Sequence, residues 1–83
     1  MRVLLIEDNE DFARLLAEGL DKRAVASDIA GDLAAADAYF GAAAYDALIL
    51  DLGLPDGDGV DWLRALPQDR PPALVLTARG TLE

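Results

Sequence analysis

Ala47-Leu48-Ile49-Leu50-Asp51, running on into Leu52-Gly53-Leu54-Pro55-Asp56-Gly57-Asp58-Gly59, is the stretch that decides the fold. Its first four residues are apolar without interruption, the pattern of a strand buried on both faces, which is the habit of parallel sheets. The run stops on a carboxylate and enters a loop dense in turn residues. An open α/β sheet binds ligands outside the carboxyl ends of its strands, so an acid at that position has a place to act.

Working outward, the same pattern recurs on both sides. Val3 to Ile6 is a second apolar run, stopped by Glu7-Asp8-Asn9. Helical spacing then puts Phe12, Leu15, Leu16, Gly19 and Leu20 on one face. Val25, Ser27 and Ile29 alternate, which predicts a weaker strand at a sheet edge. Gly31-Asp32 turns the chain and caps a helix carrying Leu33, Ala36 and Phe40 on one side. Beyond Gly59 a short helix is predicted to turn Val60 and Leu63 inward, and Pro67 to Pro72 breaks the chain. Ala73 to Leu76 reads as a fourth buried strand, ending at Thr77. The order is βαβαβαβ, which implies parallel strands joined by right-handed crossovers.

Composition narrows the chemistry. The 83 residues contain no cysteine and no histidine, which excludes thiolate and imidazole ligands and histidine catalysis, and leaves oxygen donors for a hard cation such as Mg²⁺ or Ca²⁺. A formal net charge of −9 disfavours nucleic acid contact by this segment. No apolar run is long enough to cross a membrane, and the run at Val3 is too short for a signal peptide, so the cytoplasm is the expected compartment.

Three predicted strands end in oxygen-bearing side chains: Glu7-Asp8, Asp51 and Thr77. An acid after a strand caps the next helix more often than it does chemistry; it is their joint placement that points to a site. Clustered carboxylates repel by about 4 kcal/mol per pair at 4 Å and an effective dielectric of 20, so such a pocket must raise a pKa or take a cation. Mg²⁺ suits a few carboxylates plus retained waters. A carboxylate with an open approach can attack a phosphoryl donor. Other readings fit less well. An EF-hand counted from Asp56 needs a glutamate where Pro67 stands, and Asp56, Asp58 and Asp61 read instead as turn and cap residues. A dinucleotide site needs a glycine-rich turn where Glu7-Asp8-Asn9-Glu10 stands. A phosphohydrolase needs a second acid two residues past Asp51, where Gly53 stands, so the chain is not expected to be an enzyme.

Val3-Leu4-Leu5-Ile6-Glu7-Asp8, Leu48-Ile49-Leu50-Asp51 through Gly59, and Val75-Leu76-Thr77-Ala78 together resemble the receiver domain of bacterial two-component response regulators. The resemblance implies a flavodoxin-like, doubly wound parallel sheet with strand order 2-1-3-4 over the four strands present. It implies that Asp51 accepts a phosphoryl group from a sensor histidine kinase. Asp8 and Asp51 would ligate Mg²⁺, Gly53 would add its backbone carbonyl, and Glu7 would act mainly through a bound water. Thr77 would be the switch hydroxyl, with Pro55 and Gly59 shaping the loop. A receiver also has a fifth strand, bearing a lysine and an aromatic switch residue, and two more helices. Residues 1–83 are therefore expected to be the N-terminal part of a receiver, with a homodimer through the exposed edge of the fourth strand. The alternative reading is an inactive receiver fragment acting only in protein contact.

Overall fold

The computed structural model describes residues 1–51 and 53–76. Strands β1 (Arg2–Ile6), β2 (Ala26–Ala30), β3 (Ala47–Asp51) and β6 (Ala73–Leu76) form one sheet in the order β2-β1-β3-β6. Every pairing in it is parallel. This is the expected flavodoxin-like order, with a small antiparallel ladder, β4 (Gly53–Leu54) against β5 (Gly57–Asp58), inserted between the third and fourth main strands. The sequence predicted plain loop there; a ladder of two-residue strands lies below the length at which alternation can be read.

Helices α1 (Glu10–Asp21) and α2 (Leu33–Ala42) lie on opposite faces, because the chain leaves β1 toward β2 and then crosses back past β1 to β3 with the same right-handed crossover. Leu4, Ile6, Leu48 and Leu50 are fully buried on the face covered by α2 and α3 (Gly59–Arg64), together with Ala36, Leu54 and Leu63. Val3 and Leu5 point to the other face, where α1 buries Ala13. Asn9 caps α1 by accepting the Phe12 N–H, Asp32 caps α2 through Ala35, and Asp58 caps α3 through Val60 and Asp61. After α1 the chain closes with Ala24 in the left-handed region at φ 63°, its N–H donating to the Asp21 carbonyl while Val25 donates to Leu20.

The single face read on α1 is divided: Phe12 and Leu15 are 42% and 66% exposed, while Leu16 and Leu20 turn with Ala13 and Ala17 toward the sheet. Leu74 and Val75, read as buried, are 59% and 40% exposed, because among the described residues β6 has β3 on one side only. The predicted edge character of β2 holds, and Leu63 of α3 is buried as expected.

A polar cluster ties the start of β1 to the exit of α2. The Tyr45 hydroxyl donates to Asp28 Oδ2 at 2.7 Å, and Arg2 Nη1 donates to the same oxygen at 2.9 Å. The Arg2 backbone N–H donates to Asp46 Oδ2 at 2.8 Å. Burial, then the bond to Asp28 and its charge, push the Tyr45 phenol up to about 12, while that bond and Arg2 hold Asp28 below the usual range. A raised phenol contributes stability that is complete below its ordinary value of 10.0 and lost as pH rises through about 12. A lowered carboxylate contributes stability present above 3.8 and lost as pH falls through its folded value. Tyr45→Phe should therefore cost about 1 kcal/mol at pH 7 in urea unfolding. Its deficit against wild type should shrink between pH 10 and 12, where wild type alone loses the phenol's contribution.

Candidate functional site

Parallel pairing of β1 with β3 sets Ile6 beside Leu50, so the residues that follow, Glu7-Asp8 and Asp51, emerge at the same end of the sheet. This end is also where the chain's path reverses between β1 and β3, the crevice at which doubly wound sheets bind ligands. One carboxylate oxygen from each of Glu7, Asp8 and Asp51 lies within 4.8 Å of the other two.

The three acids are held differently. The Glu7 N–H donates to the Ala30 carbonyl at 2.9 Å, extending the β1–β2 ladder one step, and Glu7 is only 6% exposed. Its Oε2 accepts the Asn9 N–H at 3.0 Å, while Asn9 Oδ1 caps α1. Asp8 is exposed and Asp51 half-buried. Burial raises the Glu7 pKa most; the Asn9 bond opposes it, and the negative Asp51 and Asp8 carboxyls raise it further. A buried acid crowded by two others, with oxygen as the donor atom throughout, matches the preference of a hard divalent cation such as Mg²⁺ or Ca²⁺.

The chain after Asp51 is anchored in ways the sequence did not reveal. A Cβ on Gly59 would lie 3.0 Å from the Asp51 carbonyl oxygen and 3.1 and 3.2 Å from the two Leu50 methyls, so α3 starts directly against the end of β3. Asp56 caps α2: Oδ1 accepts the Leu33 N–H at 2.8 Å and Oδ2 the Ala34 N–H at 3.0 Å. The cap reading of Asp56 and Asp58 is thus right in kind, but Asp56 serves a helix 22 residues upstream, which local sequence cannot signal. Trp62 joins α3 to α2, donating from Nε1 to Asp37 Oδ1 at 2.8 Å and meeting Phe40 edge-on at 6.2 Å. Gly53 is exposed at the start of β4, two residues past Asp51. Thr77 lies outside the described residues; Leu76 before it pairs with Asp51.

A four-stranded parallel sheet in this order, with three acids gathered at its switch point, defines a receiver-type α/β domain. The chain belongs to the response regulator receiver domain family, whose model matches residues 3–83. It is 44% identical to the transcriptional regulatory protein QseB of Haemophilus influenzae, over 100% of this chain and 38% of the relative. Its structure is similar to the non-phosphorylated HemR receiver domain from Leptospira biflexa (TM-score 0.84, 32% identity, 98% of this chain and 67% of that one). It is also similar to a Burkholderia pseudomallei response regulator with a phosphorylated aspartic acid, calcium ion and citrate (TM-score 0.87, 31% identity, 98% of this chain and 49% of that one). The chain spans 37–45% of the length of curated relatives it matches, less than half of each.

Repulsion among the three acids has a measurable cost. In buffer free of divalent cations at pH 7, Asp51→Asn should raise stability by about 1–4 kcal/mol, the range for like charges near 4 Å between bulk water and an effective dielectric of 20. A raised Glu7 pKa means that its contribution is present at low pH and lost as pH rises through the folded value. The gain from Asp51→Asn should accordingly shrink as Glu7 protonates. Urea titrations at pH 7 and pH 4 check both statements.

Proposed function

We propose that Asp51 is the phosphoacceptor of a two-component signalling domain and takes its phosphoryl group from a sensor histidine kinase. The observation that supports this best is the gathering of Glu7, Asp8 and Asp51 at the switch point, with Asp51 open to approach and fixed at the end of a core strand. The phosphorylated aspartic acid in the Burkholderia relative supports the same chemistry here. Glu7 is a poor nucleophile by comparison, being buried with one oxygen engaged by Asn9.

Asp8, Asp51 and the Gly53 carbonyl would hold Mg²⁺, with Glu7 acting through a bound water. The ion, when bound, offsets negative charge on the transferring group. An Asp51 oxygen forms a bond to phosphorus while the bond from phosphorus to the donor's imidazole nitrogen breaks, and the imidazole keeps the electron pair. Glu7 and Asp8 supply the negative field that attracts the cation. Thr77 is assigned the switch hydroxyl on family resemblance alone. The domain receives a group rather than turning over a separate substrate, and we place it in the cytoplasm; none of the described helices is long and apolar enough to cross a membrane. The net charge of −9 supports a protein partner over nucleic acid for this segment.

Acetyl phosphate with Mg²⁺ should load Asp51, and borohydride trapping with mass spectrometry should find the adduct there. Loading should fail without Mg²⁺ and in Asp51→Asn. Asp56→Asn and Asp58→Asn should leave the adduct on Asp51; label on either of those residues in wild type would refute the choice of acceptor.

The exposed Leu74 and Val75 on a strand with one described neighbour support a homodimer through the β6 edge, since unprotected edges template pairing. Sedimentation across concentrations should show association that Val75→Lys weakens. A monomer at the highest concentration would exclude the dimer without touching the phosphoacceptor assignment.

A further inference from the structure

We propose that Asp56 is a positioning residue for the site: it fastens the hairpin that follows Asp51 to the N-terminus of α2 and thereby holds Gly53 in place. The inference rests on the reading of Asp51 and Gly53 given above.

The hairpin pairs Gly53 with Asp58 and Leu54 with Gly57, leaving Pro55 and Asp56 at its tip. Gly53 stands at the site end and Asp56 at the far end. A ladder this short has little stability of its own, so its shape is set by what it is fastened to. Three fastenings are visible. Leu54 is buried in the core, Asp58 caps α3, and Asp56 accepts the Leu33 and Ala34 N–H groups with separate oxygens.

The Asp56 fastening is the one that reaches a different helix. Asp32 satisfies the Ala35 N–H and the Asp32 carbonyl takes that of Ala36, so Asp56 completes the first turn of α2. A carboxylate at a helix N-terminus is favoured by charge as well as by hydrogen bonds, and these bonds hold Asp56 below the usual carboxylate range. Gly57 adds a second, independent sign of close docking. Its φ is +155°, and a Cβ there would come within 2.9 Å of the Leu33 Cδ1 methyl. The tip of the hairpin therefore sits against the first turn of α2, where a side chain at position 57 would displace the Leu33 methyl. Motion of α2 would be transmitted through a carboxylate clamp to the segment beside Asp51.

The test compares two losses at the same helix end. Asp56→Ala removes the clamp, whereas Asp32→Ala removes the helix's own cap and leaves the hairpin attached. In ¹⁵N spectra of the full chain without metal, Asp56→Ala should shift the Leu33 and Ala34 amides and also those of Gly53 and Asp51. Asp32→Ala should shift Ala35 while leaving Gly53 in place. Mg²⁺ affinity should fall about tenfold in Asp56→Ala, the loss typical of a residue that orients a metal ligand without touching the metal. Asp56→Asn, which keeps one acceptor oxygen, should recover part of it and serves also if the alanine variant does not fold. Unmoved Gly53 and Asp51 amides in Asp56→Ala, or equal effects of Asp32→Ala and Asp56→Ala on Gly53, would overturn the proposal. Absence of Mg²⁺ binding by wild type would overturn the metal reading instead, and the metal-free amide shifts would still decide the role of Asp56.

Discussion

The parallel register between β1 and β3 is the constraint on which the rest depends. It stacks Leu4 beside Leu48 and Ile6 beside Leu50, and these four side chains are wholly removed from water. Burying side chains of this size is worth roughly 1.5–3 kcal/mol each. That energy fixes the alignment against slippage, since a shift of one residue would turn the apolar set to the wrong face. The same alignment brings Glu7, Asp8 and Asp51 out at one point. The core thus provides the force that holds three like charges together.

Charge crowding and anchoring then work against each other around Asp51. The acids destabilise the fold locally, and the surrounding chain answers with bonds that cost no further charge burial. Asn9 links Glu7 to the start of α1, Gly59 lets α3 abut the Asp51 carbonyl, and Asp58 and Asp56 satisfy helix ends on either side. Each of these contacts involves backbone on at least one side. Backbone-borne anchors leave the carboxylates free for a ligand while restricting where they can move.

Uninterrupted apolar runs made β1 and β3 legible in the sequence, and the acids that end those runs marked the place of the site. Alternation at Val25, Ser27 and Ile29 similarly identified β2 as an edge. Periodicity failed in part on α1 for a physical reason: it says which residues share a face but not how much of that face has a neighbour. Ala13, a small residue with a weak hydropathy signal, is the one wholly buried on α1, while the large Leu15 is mostly in water. The turn chemistry of Pro55 to Gly59 was readable, but its partners were not. Asp56 bonds to Leu33 across 23 positions, and the need for glycine at 59 comes from the carbonyl of Asp51. Such pairings exist only once the chain is folded.

Trp62 is the single tryptophan of the chain, and it spans the contact between α2 and α3. Its indole N–H rests on the Asp37 carboxylate and its ring meets the edge of Phe40, both on α2. Indole emission depends on the polarity and hydrogen bonding around the ring. The molecule therefore contains an intrinsic optical gauge of how closely its two neighbouring helices are joined. Because its partners Asp37 and Phe40 are not members of the Glu7-Asp8-Asp51 cluster, it reports on the joint between the helices rather than on those three acids directly.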